Sequence, residues 1–170
     1  MLGSWAYAKA HRMELESMIA AIVFDSGTGA VTGYSLSRKD ILPAVRDALG
    51  PVQSLGVKDF TVEADIDSDN FDFLLEGVPT LVPNQEPANY MLNYHAASDT
   101  FDKVDIALLR RNVAIAASTA YAIADRQDRI GPRQSRAEIE QLMKETGLDE
   151  NMKAEQMWPL WVRGSRGRQP

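Results

Sequence analysis

Cysteine is absent from the 170 residues, and histidine occurs only twice, at His11 and His95. The first absence excludes disulfides and thiolate zinc sites and leaves the redox compartment open. The second means that any metal site must be built from Asp and Glu with at most two imidazoles. An excess of positive charge is also lacking: the net charge of −6 argues against nucleic acid as a partner. The one basic cluster, Arg163, Arg166 and Arg168, sits in a Gly-containing tail and reads as a frayed end. No apolar run approaches the ~18 residues of a membrane span, so no membrane partner is expected. Residues 1–18 lack the charged-then-apolar pattern of an export signal, and the compartment stays unassigned.

What is present is the composition of a globular domain, with 45% hydrophobic residues to supply a core. Residues 4–16 read as a helix that Ser4 can cap. The apolar run IAAIVF at 19–24 suits a strand buried on both faces, and Asp25-Ser26-Gly27 breaks it. A second helix is expected over 37–49, with Gly50-Pro51 as its stop. Strands follow at 60–64 and 79–82, separated by an acidic loop at 65–70 and a short helix at 71–76 that Gly77 ends. Residues 83–95 form a Pro- and Asn-rich loop, long enough to suggest function.

The clearest helix spans 102–126, where Ile106, Leu109, Val113, Ala116, Ala120 and Ile123 recur every three or four residues as a candidate core face. Ser135 and Glu138 form a capping-box pattern that opens a last helix, ended by Gly147. Trp158 and Trp161 are expected to pack back on the domain. Helices alternating with short apolar strands give an α/β class. In such folds ligands sit beyond the carboxyl ends of strands, where Asp25, the loop with Asp69 and His95 all fall.

His95, in the segment Tyr94-His95-Ala96-Ala97-Ser98-Asp99-Thr100, can point into a cleft as a neutral zinc ligand, or it is an ordinary loop histidine. Asp99 and Thr100 are placed to cap the following helix. Asp25 is a ligand or catalytic carboxylate at a strand end, or the first residue of a tight turn. IVFDSGTG also resembles the active-site turn of aspartic proteases, which needs two copies, and the phosphate hairpin of actin-like ATPases, which needs further motifs absent here. His11 reads as a solvated helix-face residue. Asp65, Asp67, Asp69 and Asp72 lack the glycine and terminal glutamate of an EF-hand loop and read as solvated.

Taken in order, LGSWAYAKAHRMEL, FDSGTG, SDNFDFLLEGVPTL and NYHAASDTFDKVD resemble the co-catalytic zinc peptidases that include bacterial leucyl aminopeptidases and plasma glutamate carboxypeptidase. The match runs from residue 1 to about 127, which divides the chain into a catalytic-domain part, 1–127, and a helical extension with tail, 128–170. The resemblance implies a partial αβα sandwich with a mixed, largely parallel sheet, two zinc ions and a peptide substrate cut at its end. It assigns Asp25 to one zinc, His95 to the other, and a supporting role to Asp69. Members of the family are often exported. The first His, the bridging Asp and the Glu-Glu pair with the general base belong upstream of Leu2 in that pattern. The expectation is therefore a C-terminal portion of an exopeptidase, with zinc weak or absent in this chain alone. The partners then expected are a complementing N-terminal half or a second copy, through sheet edges left open.

Overall fold

A computed structural model describes residues 1–25 and 27–169. Ser26, at the centre of the expected turn, lies outside them. Four strands, β1 (Ala21–Ile22), β2 (Val31–Leu36), β3 (Asp59–Val62) and β4 (Thr80–Gln85), form a sheet in the order β1-β4-β2-β3. β1 runs parallel to β4 and β2 parallel to β3, while β2 and β4 are antiparallel. The fold is α/β with a mixed, largely parallel sheet, as expected.

β2 is the strand that periodicity does not announce. Its sequence VTGYSL buries Val31, Gly33, Tyr34 and Leu36, and a register shift between Val31 and Gly33 spoils simple alternation. Gly33 is required there by proximity: a Cβ would stand 1.5 Å from the Asp59 carbonyl oxygen of β3. Pro83 lies inside β4, beyond the point where pairing with β1 has ended, so its missing N–H costs no ladder bond on that side. β1 itself is shorter than the IAAIVF run. Residues 19–23 are only half-buried and Phe24 is 42% exposed, because β1 ends the sheet and lacks a neighbour on one side among the described residues.

The main core gathers Val31, Tyr34 and Leu36 of β2, Val45 of α2 (Leu42–Ala48), and Ile115 and Ile123 of the long helix Ile106–Ala124. The first expected helix is split into α1 (Leu2–Ala10) and a 3-10 turn at Glu14–Glu16. α3 (Asn70–Leu75) ends at Glu76, and Gly77 follows at φ 82°. A short α4 (Tyr90–Asn93) interrupts the expected loop. The long helix, α5, is capped by Asp105, whose carboxylate accepts from the amides of Ala107 and Leu108, and not by Asp99 or Thr100.

α5 is also turned from the expected orientation. Asn112, Ile115, Thr119 and Ile123 face inward, while Ile106, Leu109 and Val113 are 39%, 40% and 59% exposed. The inner polar groups are satisfied. Asn112 donates to the Gly29 carbonyl and accepts from the Val31 amide, and Thr119 accepts from the Tyr34 hydroxyl at 2.9 Å. Burial pushes the Tyr34 phenol above its ordinary pKa. A folded pKa above the unfolded value adds stability below about pH 10, and that stability is lost as pH rises through the folded value. In an absorbance titration of phenolate formation, Tyr34 should ionise late and together with unfolding; its early, independent ionisation would contradict the packing.

Beyond α5, α6 (Arg136–Thr146), α7 (Leu148–Ala154) and α8 (Trp158–Val162) build a second core on α3. Ile139, Met143, Leu148, Met152 and Trp161 enclose Phe71, Leu74 and Leu75. The capping box at Ser135 and Glu138 and the left-handed Gly147 are both present. The tail is not frayed at Arg166. Its guanidinium is buried and bonds the Asp72 carboxylate at 2.7 and 3.0 Å.

Candidate functional site

A cavity of about 820 Å³ opens beyond the end of β1, between the turn after it, the acidic loop before α3, and the segment from α4 to the start of α5. Asp25 and His95 both line it. Asp25 is exposed at the mouth of the turn, and its Oδ2 accepts a hydrogen bond from Ser68 Oγ at 2.6 Å. His95 has a φ of 52°, in the left-handed region where a non-glycine residue is uncommon and His is among the enriched types. Such conformations cluster at functional sites. Its ring lies on Tyr94, with centroids 3.9 Å apart and planes at 18°.

The charged residues of the wall are mainly acidic: Asp65, Asp67 and Asp99 join Asp25, against Lys103. Lys103 is paired with Asp102. Tyr90 also faces the cavity. Its phenol is pushed up, first by partial burial and then by Tyr94, Asp25 and Asp99 nearby. Asp69 is outside the lining, and its carboxylate meets the Met1 amino group at 3.1 Å. His11 is outside the cavity lining, at the end of α1, stacked on Tyr7 and 2.9 Å from Glu14. Ser68 and Tyr90 were missed by sequence reasoning. Their roles depend on contacts across 43 and 65 residues, which spacing along the chain does not carry.

The family pattern of peptidase family M28 matches residues 1–120. The chain belongs to peptidase family M28. M28 peptidases are co-catalytic zinc hydrolases. A crystal structure of a peptidase M28 precursor from Shewanella amazonensis is similar at 29% identity, with a TM-score of 0.70. That match covers 79% of this chain and 30% of the other, so this chain spans less than a third of that protein's length. None of the curated proteins matches.

The M28 cavity holds a carboxylate and an imidazole of the types that zinc accepts. Among the described residues, however, no three His, Cys, Asp or Glu side chains stand close enough to hold one metal ion. A catalytic zinc takes three protein ligands and a water. The residues of this cavity alone therefore fall short of a catalytic zinc site.

Proposed function

We propose that these residues are the C-terminal portion of a zinc-dependent exopeptidase, of aminopeptidase or carboxypeptidase type, that hydrolyses terminal peptide bonds. By itself this portion is catalytically silent. The observation that supports the reading is the cavity, with Asp25 and His95 on its wall and, among the described residues, no three donors close enough to hold one metal ion. By resemblance the two serve different metal ions, so each ion keeps one ligand from this chain. In the parent enzyme zinc supplies Lewis acidity and an activated water. The contribution of this chain is one ligand to each metal and the acidic wall that shapes the peptide cleft.

Zinc titration calorimetry beside an aminoacyl-nitroanilide assay tests this. The expected result is no hydrolysis and no tight uptake of two zinc ions; tight binding of two ions per chain overturns the reading. Adding a folded N-terminal half should restore activity if the parent is split between polypeptides. Continued inactivity with that half correctly folded counts against the split arrangement.

A second reading is favoured by the surface. β1 lacks a neighbour on one side among the described residues, and α5 turns Ile106, Leu109 and Val113 outward. Unpaired edges and apolar faces promote pairing with another chain. The alternative is thus a non-catalytic α/β domain that acts by association, or one half of a split peptidase. Light scattering separates the two: a monomer at all concentrations removes the homo-oligomer.

A further inference from the structure

We infer that Tyr90 is a positioning residue, the clasp that holds the Asp25 turn and the His95 loop in fixed relation. Four contacts in series make the argument. Gly27 has a φ of 81°, and a Cβ built on it would lie 2.6 Å from Tyr90 Cδ2, so the phenol ring rests directly on the turn's backbone. Tyr90 Oη donates to the Asp25 carbonyl at 3.4 Å, a long bond that directs the ring more than it holds it. The Tyr90 ring also meets Tyr94, with centroids 5.2 Å apart at 49°. Tyr94 in turn stacks on His95. Offset and tilted aromatic pairs at such separations are favourable.

At the Asp25 end the ladder adds to the bond from Ser68 Oγ, and at the His95 end it is the main restraint. Asp25 and His95 are exposed, and His95 occupies a left-handed backbone conformation that its surroundings must enforce. The middle is anchored. Asn89 Nδ2 donates to the Lys103 carbonyl at 3.1 Å, and Asn93 Nδ2 to the Asn89 carbonyl at 2.9 Å, fixing the short helix that carries Tyr90. Gln85 Nε2 donates to the carbonyls of Gly27 and Gly29, fixing the turn from β4. The ring thus bridges two anchored frames, and each presents one candidate ligand. What the two residues bind rests on the proposed function; the ladder itself does not.

The chain's two histidines make the test direct. His11 stacks on Tyr7 at 4.3 Å, away from the cavity, and serves as an internal reference. In proton NMR of the full chain, Tyr90→Ala should move the His95 ring signals downfield as the stack loosens and leave those of His11 in place. Tyr90→Phe keeps the ring and should restore the wild-type His95 signals. Gly27→Ala attacks the clasp from the opposite end and should reproduce the Tyr90→Ala shift; it also serves if Tyr90→Ala does not fold. An unmoved His95 in a folded Tyr90→Ala or Gly27→Ala chain overturns the inference, as does a Tyr90→Phe spectrum equal to that of Tyr90→Ala. The two readings fail separately. Tight uptake of two zinc ions with a moved His95 would sink the fragment reading and leave the clasp standing.

Discussion

Replacing Asp72 by alanine is expected to lower the stability of the fold by about 3–5 kcal/mol, the range for removing one partner of a buried ion pair. The Asp72 and Arg166 side chains are 1% and 6% exposed. Asp72 accepts two bonds from Arg166 and a third from Ser4 Oγ at 2.6 Å. Alanine would leave the guanidinium buried against the Trp5 and Phe71 rings with no carboxylate to answer it. The double change Asp72→Leu with Arg166→Met should recover much of the loss, because well-packed apolar replacements of buried ion pairs are often neutral or better. Urea denaturation followed by tryptophan fluorescence measures both. A loss below about 1 kcal/mol is what a solvent-exposed pair gives, and would return Arg166 to the frayed tail that composition suggests.

Ending the chain at residue 127 should be still more damaging. It removes Ile139, Met143, Leu148, Met152 and Trp161 from the second core and uncovers Phe71, Leu74 and Leu75. Full burial of each such side chain is worth about 1.5–3 kcal/mol. Five of them together rival the roughly 5–15 kcal/mol by which a whole domain is stable. Glu76 would also lose Arg133, which bonds its carboxylate at 2.8 Å. The shortened chain should bind a hydrophobic dye and lose cooperative thermal unfolding by circular dichroism. A sharp native-like transition would establish instead that 1–127 folds without the helical extension.

Local chemistry made several elements legible. The short helix before Gly77 and the capping box at Ser135 are set by backbone preferences that neighbouring residues alone impose. β2 was not legible, since Thr32, Gly33 and Ser35 interrupt its apolar residues for reasons of register and close approach to β3. α5 was legible as a helix but not in its orientation. The 3.6-residue period finds an apolar stripe, whereas the protein buries Asn112 and Thr119 because β2 offers them partners. The same limit applies at the cavity. Asp25 and His95 stood out through ordered motifs. Ser68 and Tyr90 emerge only when distant loops meet, and Asp69 falls just outside the lining although its neighbours are within it.

The Asp72–Arg166 pair also sets a schedule for the chain. Arg166 trails Asp72 by 94 residues, so at about 5–20 residues per second the ribosome needs roughly 5–19 s to deliver it. For most of that interval, until Ile139 to Trp161 follow, the Phe71, Leu74 and Leu75 face of α3 stays uncovered, while β2, β3 and β4 can already associate. Nascent chains stalled between residues 76 and 139 should therefore be the species that chaperones hold and proteases clear.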